Sequence, residues 1–365
     1  MTYTSRAAMI ALTCAAALCA QTRIGGIIDK STRWTPEGSP YTIISDILIT
    51  SQAKLTIAPG TRIFVDKPVK YDDAIPQIDR TDSTTVAIKI RGMLSCVGRA
   101  DKRIVFSPVK QSSAGNSWYG IVFDGSADDL TEIAYADIAG ACNGVRARNS
   151  SPLVRNTIIE FNNVGVYCAE KGNVRLYNCV IAHNLTCGVR IVAANPVIYN
   201  CIVVDNRNNG VWCDGVTKAT FAYNCVFGNG DGNFMECDPG LGVVREPAKE
   251  KNAKSLRVGT DLSGNLVTDP IFAGSPAESL AVERDLTLKT DKSRVHDTTL
   301  ARALHDTLTD SSAARARFQK YPRYTLSEYS PCVNAGNPDK EFLDDNGSRN
   351  DMGIFGGPDY VQESK

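Results

Sequence analysis

The sequence carries no surplus of charge of either sign. Lys and Arg total 40 and Asp and Glu total 40, with no basic run, so it lacks the electrostatic footprint of a nucleic-acid binder. Only 3 histidines are present, and no Cys/His spacing of the zinc type occurs, which excludes a zinc module. Beyond residue 20 no apolar run reaches the roughly 18 residues that a membrane helix needs. The fixed leucines of a leucine-rich repeat are missing. Residues 151–238 contain no helical pattern even about 10 residues long.

What fills 151–238 instead is a repeat. Four phrases show it: RNTIIEFN from Arg155, YNCVIAHN from Tyr177, YNCIVVDN from Tyr199 and YNCVFGNG from Tyr223. Asn156, Asn178, Asn200 and Asn224 head them at intervals of 22, 22 and 24. A second marker, Gly144-Val145, Gly165-Val166, Gly188-Val189 and Gly210-Val211, recurs in the same register. A fixed period of this length marks a stacked-repeat architecture. Each unit holds short runs of Val, Ile, Tyr and Cys broken by Asn and Gly. Three short strands and three turns fit in about 22 residues, which is one coil of a right-handed parallel β-helix, an all-β solenoid. Coils then stack at about 4.8 Å, and equivalent residues form ladders.

Strand alternation assigns the faces. Ile198, Cys201 and Val203 read as inward and Tyr199 as outward; Leu176, Cys179 and Ile181 repeat the inward set. Asn178, Asn200 and Asn224 are expected to stack at one turn, with Cys179, Cys201 and Cys225 inside. Asn162, Asn184 and Asn206 form a second ladder, and the marker glycines read as the next tight turn. The stacked cysteines favour buried free thiols over disulfides, because three in one column cannot all pair.

Residues 1–20 read as a signal peptide, with Arg6 as the n-region charge, an apolar stretch from Ala7 and cleavage after Ala20. Thr13 and Leu18, before Cys14 and Cys19, are larger than a lipoprotein signal expects. Residues 21–84 read as an N-terminal cap and first coils, 85–238 as the repeat core, 239–323 as loop, short strands and a helical insertion at 300–321, and 324–365 as a closing segment. The N-terminal phrase SPYTIISDILITSQAKLTIAPGTRIFVD and the closing phrase SPCVNAGNPDKEFLDDNGSRNDMGIFGGP, together with the repeats, resemble the secreted bacterial right-handed β-helix proteins of the pectate-lyase-like superfamily. The resemblance is nearer to repeat-containing surface proteins than to lyases. It implies a secreted or cell-envelope location.

Three constellations are candidates for chemistry. Glu160, His183 and Asp205 fall near one turn, where a carboxylate beside an imidazole suits general acid–base catalysis; hydrated turn residues are the plainer reading. Arg146, Tyr167, Arg190 and Trp212 each follow a marker glycine by two residues and form an outward row suited to a glycan, unless they are ordinary strand surface. A second row, Arg155, Tyr177, Tyr199 and Tyr223, runs on another face. Asp344, Asp345 and Asp351 sit in an oxygen-rich loop that can hold calcium, or can be a tight turn with an Arg349–Asp351 contact. Lyases of this fold need clustered calcium carboxylates and a basic residue, and the related hydrolases need several Asp on one sheet; neither pattern is complete. The expectation is a secreted scaffold that binds polysaccharide or another surface partner. The alternative is a carbohydrate-active enzyme: a polysaccharide lyase, glycoside hydrolase or epimerase.

Overall fold

The computed structural model describes residues 22–66, 85–110, 116–126, 130–215, 217–245, 259–275 and 322–358. The expected signal peptide, residues 67–84 of the expected cap region and the expected helical insertion at 300–321 lie outside the described residues. The strands wind as a solenoid of about eight turns. Strand-to-strand pairing is parallel throughout, for example Leu153 to Arg175 to Val197 to Thr220, which advances by 22, 22 and 23 residues.

Three faces result. The first runs from the strand Arg62–Val65 to Cys225–Phe227, the second from Ala87–Ile90 to Gly232–Met235, and the third from Thr32–Trp34 to Thr220–Ala222. The strand Tyr41–Ile49 is long enough to serve two faces, pairing with Arg62–Val65 through its first half and Ala87–Ile90 through its second. This one strand joins both faces into a single 16-stranded sheet, and Thr22–Ile28 lies over it as the first rung.

The alternating pattern places the core as the sequence implies. Leu176, Cys179, Ile181, Ile198, Cys201 and Val203 are all buried in one continuous apolar cluster. Burying each such side chain contributes about 1.5–3 kcal/mol, and the ladder repeats that gain on every coil.

Two expectations fail by small displacements. Asn224 and Cys225 do not continue the Asn178–Asn200 and Cys179–Cys201 columns. Asn156, Asn178 and Asn200 hold left-handed backbone (φ 46°, 52° and 58°), and on the next coil Tyr223 takes that place at φ 54°. Cys225 pairs with Ile202, outside the main core, rather than standing over Cys201. The coil has lengthened by one residue, and a one-residue slip in a strand exchanges the faces. The marker glycines, in turn, lie inside strands of the second face, not at a turn. A Cβ on Gly165 would come within 2.5 Å of the Gly188 carbonyl and 2.9 Å of the Asn184 amide nitrogen. Glycine is required there by close approach of stacked coils.

That amide belongs to the second ladder, which is buried and self-bonded. The Asn162, Asn184 and Asn206 amides each donate to the Oδ1 of the next member, at 3.1, 2.9 and 2.8 Å, ending on Asn229. Each backbone N–H also donates to that same oxygen, at 3.0 Å in all three cases. The spare amide hydrogens reach the carbonyls of Ile138, Ile159 and Ile181. A turn that cannot bond to water thereby pairs its polar groups along the axis.

The first asparagine column faces outward and has another use. The C-terminal segment 322–358 returns along the outside of the solenoid as a strap. It covers an apolar row of the first face, Ile158, Val180, Ile202 and Cys225, with Cys332, Met352 and Ile354. Asn156 donates to the Ile354 and Gly356 carbonyls, Asn178 to Asn350, Asp351 and Gly353, and Asn200 accepts from the Asn337 N–H.

Candidate functional site

The row Arg146, Tyr167, Arg190 and Trp212 is one column on four successive strands of the second face, in direct register. All four side chains are partly exposed. The ladder stacks them on each other. The Arg146 guanidinium sits 4.6 Å over the Tyr167 ring, and Arg190 lies 5.6 Å from Tyr167 and 4.3 Å from Trp212. The ring faces along the axis therefore carry arginines, and the outer edges are what a ligand meets. Arg146 donates to the Tyr119 hydroxyl, Arg190 to Asp214, and the Trp212 indole N–H to Glu236.

The second row is different in two ways. Arg155, Tyr177 and Tyr199 align, but Ala222 rather than Tyr223 completes them, because of the same one-residue slip. Tyr177 and Tyr199 stack at 6.0 Å, and both meet the edge of Phe342 from the strap at 5.5 Å. Burial raises both phenol pKa values.

Glu160, His183 and Asp205 occupy one corner of the helix in two settings. Glu160 is 4% exposed, and its carboxylate is taken by the Arg323 guanidinium and by the Tyr324 hydroxyl, which donates at 2.6 Å. Arg323 also bridges to Asp137, which in turn holds Arg103 at 2.6 Å. The equivalent of His183 on the coil before is Phe161, not Glu160; their rings stack at 5.4 Å. Phe161, His183 and Asp205 all hold left-handed backbone at this turn, φ 53–55°. Burial raises the Asp205 carboxyl pKa, the charge of Asp269 adds to the rise and His183 opposes it. Burial likewise pushes the Tyr324 phenol up, with Asp205 among the charges it feels. His183 and Asp205 are thus brought together, while Glu160 is drawn under the strap.

The acidic loop is organised by Asp344. Its carboxylate accepts the backbone N–H groups of Asp351 and Gly357 and the Ser348 hydroxyl. Asp351 accepts the Asn334 N–H at 2.6 Å, and Asp345 is exposed. Burial raises the Asp351 pKa to about 6, and the neighbouring Asp344 adds to it. Among the described residues no group of three or more His, Cys, Asp or Glu side chains is gathered as a metal would require. Arg349 donates to the Gly336 and Ala335 carbonyls rather than to Asp351.

A model of the right-handed β-helix region matches residues 109–243, the stretch that carries both the repeats and the Arg–aromatic column. The chain folds as a right-handed parallel β-helix. No curated protein and no solved structure matches the sequence. Among the described residues of this β-helix no helix is long and apolar enough to cross a membrane.

Several residues that shape these sites escaped sequence reasoning. Arg323 and Tyr324 lie 163 and 164 residues from Glu160, and no periodicity links them. Asn229 did leave a signal. It stands six places after Tyr223, whereas Asn184 and Asn206 stand seven after Tyr177 and Tyr199, which marks the slipped coil.

Proposed function

We propose that this β-helix is a secreted or cell-envelope scaffold that binds an extended polysaccharide along its second face. The observation that carries the reading is the column Arg146, Tyr167, Arg190, Trp212. Four partly exposed side chains in direct register span roughly 14 Å, three coil spacings, a length that suits a few sugar rings. Because arginines occupy the ring faces, recognition rests on hydrogen bonds from the guanidinium and phenol groups and on contact with the indole edge more than on ring stacking. The strap takes the first face and sets Phe342 against the Tyr177–Tyr199 pair of the third, so an extended partner has the second face to follow. Screening on a glycan array, then titrating a hit against the parent and Trp212→Ala, tests it. The expected loss is about tenfold, about 1.4 kcal/mol, because the substitution removes the large aromatic edge that meets the ligand and the surface that positions Arg190. Equal affinities would show the column to be ordinary strand surface.

A second reading, a carbohydrate-active enzyme, rests on Asp205. Its raised carboxyl pKa beside His183 suits proton transfer. Turnover of a polysaccharide by the parent that collapses in His183→Ala, with the fold intact, is expected on this reading. Full activity in that variant would remove it.

A further inference from the structure

We propose that Cys213 and Cys237 are a site of reversible oxidation, at which a disulfide staples the C-terminal end of the β-helix to its last long strand. All ten described cysteines are free thiols. Cys179 and Cys201, Cys225 and Cys332, and Cys213 and Cys237 each lie close enough for one thiol to bond the other, but both members of the first two pairs are 0% exposed, whereas Cys237 is partly exposed. Cys179 and Cys201 are equivalent positions on adjacent coils, so their Cα–Cβ bonds run parallel about 4.8 Å apart. A disulfide needs Cβ atoms about 3.5–4.5 Å apart and converging, and both thiols are sealed in the core. Cys168 and Cys213 share a column but have Ile191 between them.

Cys237 is not a ladder neighbour of Cys213. The last strand of the second face ends at Met235, opposite Trp212. Glu236 then turns in the left-handed region at φ 53°. On the preceding coils the corresponding turn comes later, at Glu170, Ala193 and Gly215. The early turn folds Cys237 back over the end of the core, where it packs against the main cluster that contains Cys213. Its sulfur lies 3.7 Å from the Val211 carbonyl and 3.3 Å from that of Met235. The two thiols are hydrogen-bonded to each other, and Thr217 bonds Cys213 as well. These bonds lower the pKa of Cys213, and bonding to Cys213 raises that of Cys237. Cys213 is buried and Cys237 is partly exposed, so an external reagent arrives from the Cys237 side.

The oxidant is a small-molecule disulfide. The pair loses a proton and the resulting thiolate attacks one sulfur of the reagent, releasing a thiol and leaving a mixed disulfide. The second cysteine sulfur displaces the remaining half, which leaves as a second thiol with the second proton. Two protein thiols and one disulfide become one protein disulfide and two thiols, so electrons and protons balance.

The test is equilibration of the full chain in oxidised and reduced glutathione at graded ratios, quenched by acid and alkylation. Peptide mapping is expected to recover a Cys213–Cys237 cross-link, with the other described cysteines alkylated after unfolding, and thermal melting of the oxidised form is expected several degrees above the reduced form. Cys237→Ser is expected to abolish both the cross-link and the oxidation-dependent shift. The proposal is overturned if the mixtures oxidise another pair first, if Cys213 and Cys237 stay reduced at the most oxidising ratio, or if Cys237→Ser keeps the shift. Should that variant misfold, the parent's peptide map still decides the matter.

Discussion

Replacing Asn184 by alanine tests whether the buried amide ladder holds the coils together. Asn184 occupies the middle of the column and is 0% exposed. Its Oδ1 accepts both the backbone N–H and the side-chain amide of Asn162, at 3.0 and 3.1 Å. Its own amide donates to Asn206 Oδ1 at 2.9 Å and the Ile159 carbonyl at 3.2 Å. Alanine removes all four bonds and leaves the Asn162 N–H without its acceptor in a dry turn. An orphaned buried donor costs about 1–3 kcal/mol, and the other bonds contribute about 1 kcal/mol each at most, so the expected loss is about 2–4 kcal/mol. Asn184→Asp is sharper, because it is nearly isosteric. A carboxylate can still accept from Asn162, but it turns an oxygen toward two carbonyl oxygens in a buried site, and its loss is expected to exceed that of alanine. Urea denaturation followed by circular dichroism reads both, with the slope showing whether the same surface unfolds. An alanine variant within about 0.5 kcal/mol of the parent, or an aspartate variant as stable as asparagine, would refute the reasoning.

Other outcomes follow from single side chains. Val203→Asp places an unpaired charge at a position that is 0% exposed in the continuous core, and a thermal melt is expected to show loss of the folded state; an unchanged melt would mean that this side chain does not face inward. Asp351 has a folded pKa of about 6, above the aspartate value of about 3.9, so the folded chain keeps a proton that the unfolded chain has released. Its contribution is favourable below about pH 4 and is lost as pH rises through about 6. Asp351→Asn is therefore expected to gain stability relative to the parent between pH 4.5 and 7, read as the difference in melting temperature; a constant or reversed difference would show that the carboxylate is not strained by burial.

The solenoid was legible because its determinants are local and repeated. Period, inward residues and the asparagine turn all lie within one coil, and stacking multiplies the same signal. The Arg–aromatic column was legible for the same reason, since register carries equivalent positions to equivalent places. Where the period breaks, the reading breaks with it: one extra residue before Tyr223 moved Asn224, Cys225 and Tyr223 each to a neighbouring column. The glycines were misread because a required absence of Cβ looks the same in sequence whether its cause is a turn or a close approach. The partners of Glu160 and of the outward asparagines were not legible at all. They come from a strap whose sequence shares no period with the coils it covers.

That strap also bears on the order in which the chain acquires its structure. Bonds between successive coils join residues about 22 apart, as from Asn162 to Asn184, whereas Asn156 and Gly356 are 200 apart. Closing a loop about nine times longer costs about 2 kcal/mol more in chain entropy. Coils can therefore zip one onto the next as the chain emerges, each with its template already in place. The strap has no template until Ile158, Val180 and Ile202 stand in a row, so its docking is a late event. Until then the growing molecule displays an apolar stripe to its surroundings, and a chain cut short before residue 322 would display it permanently.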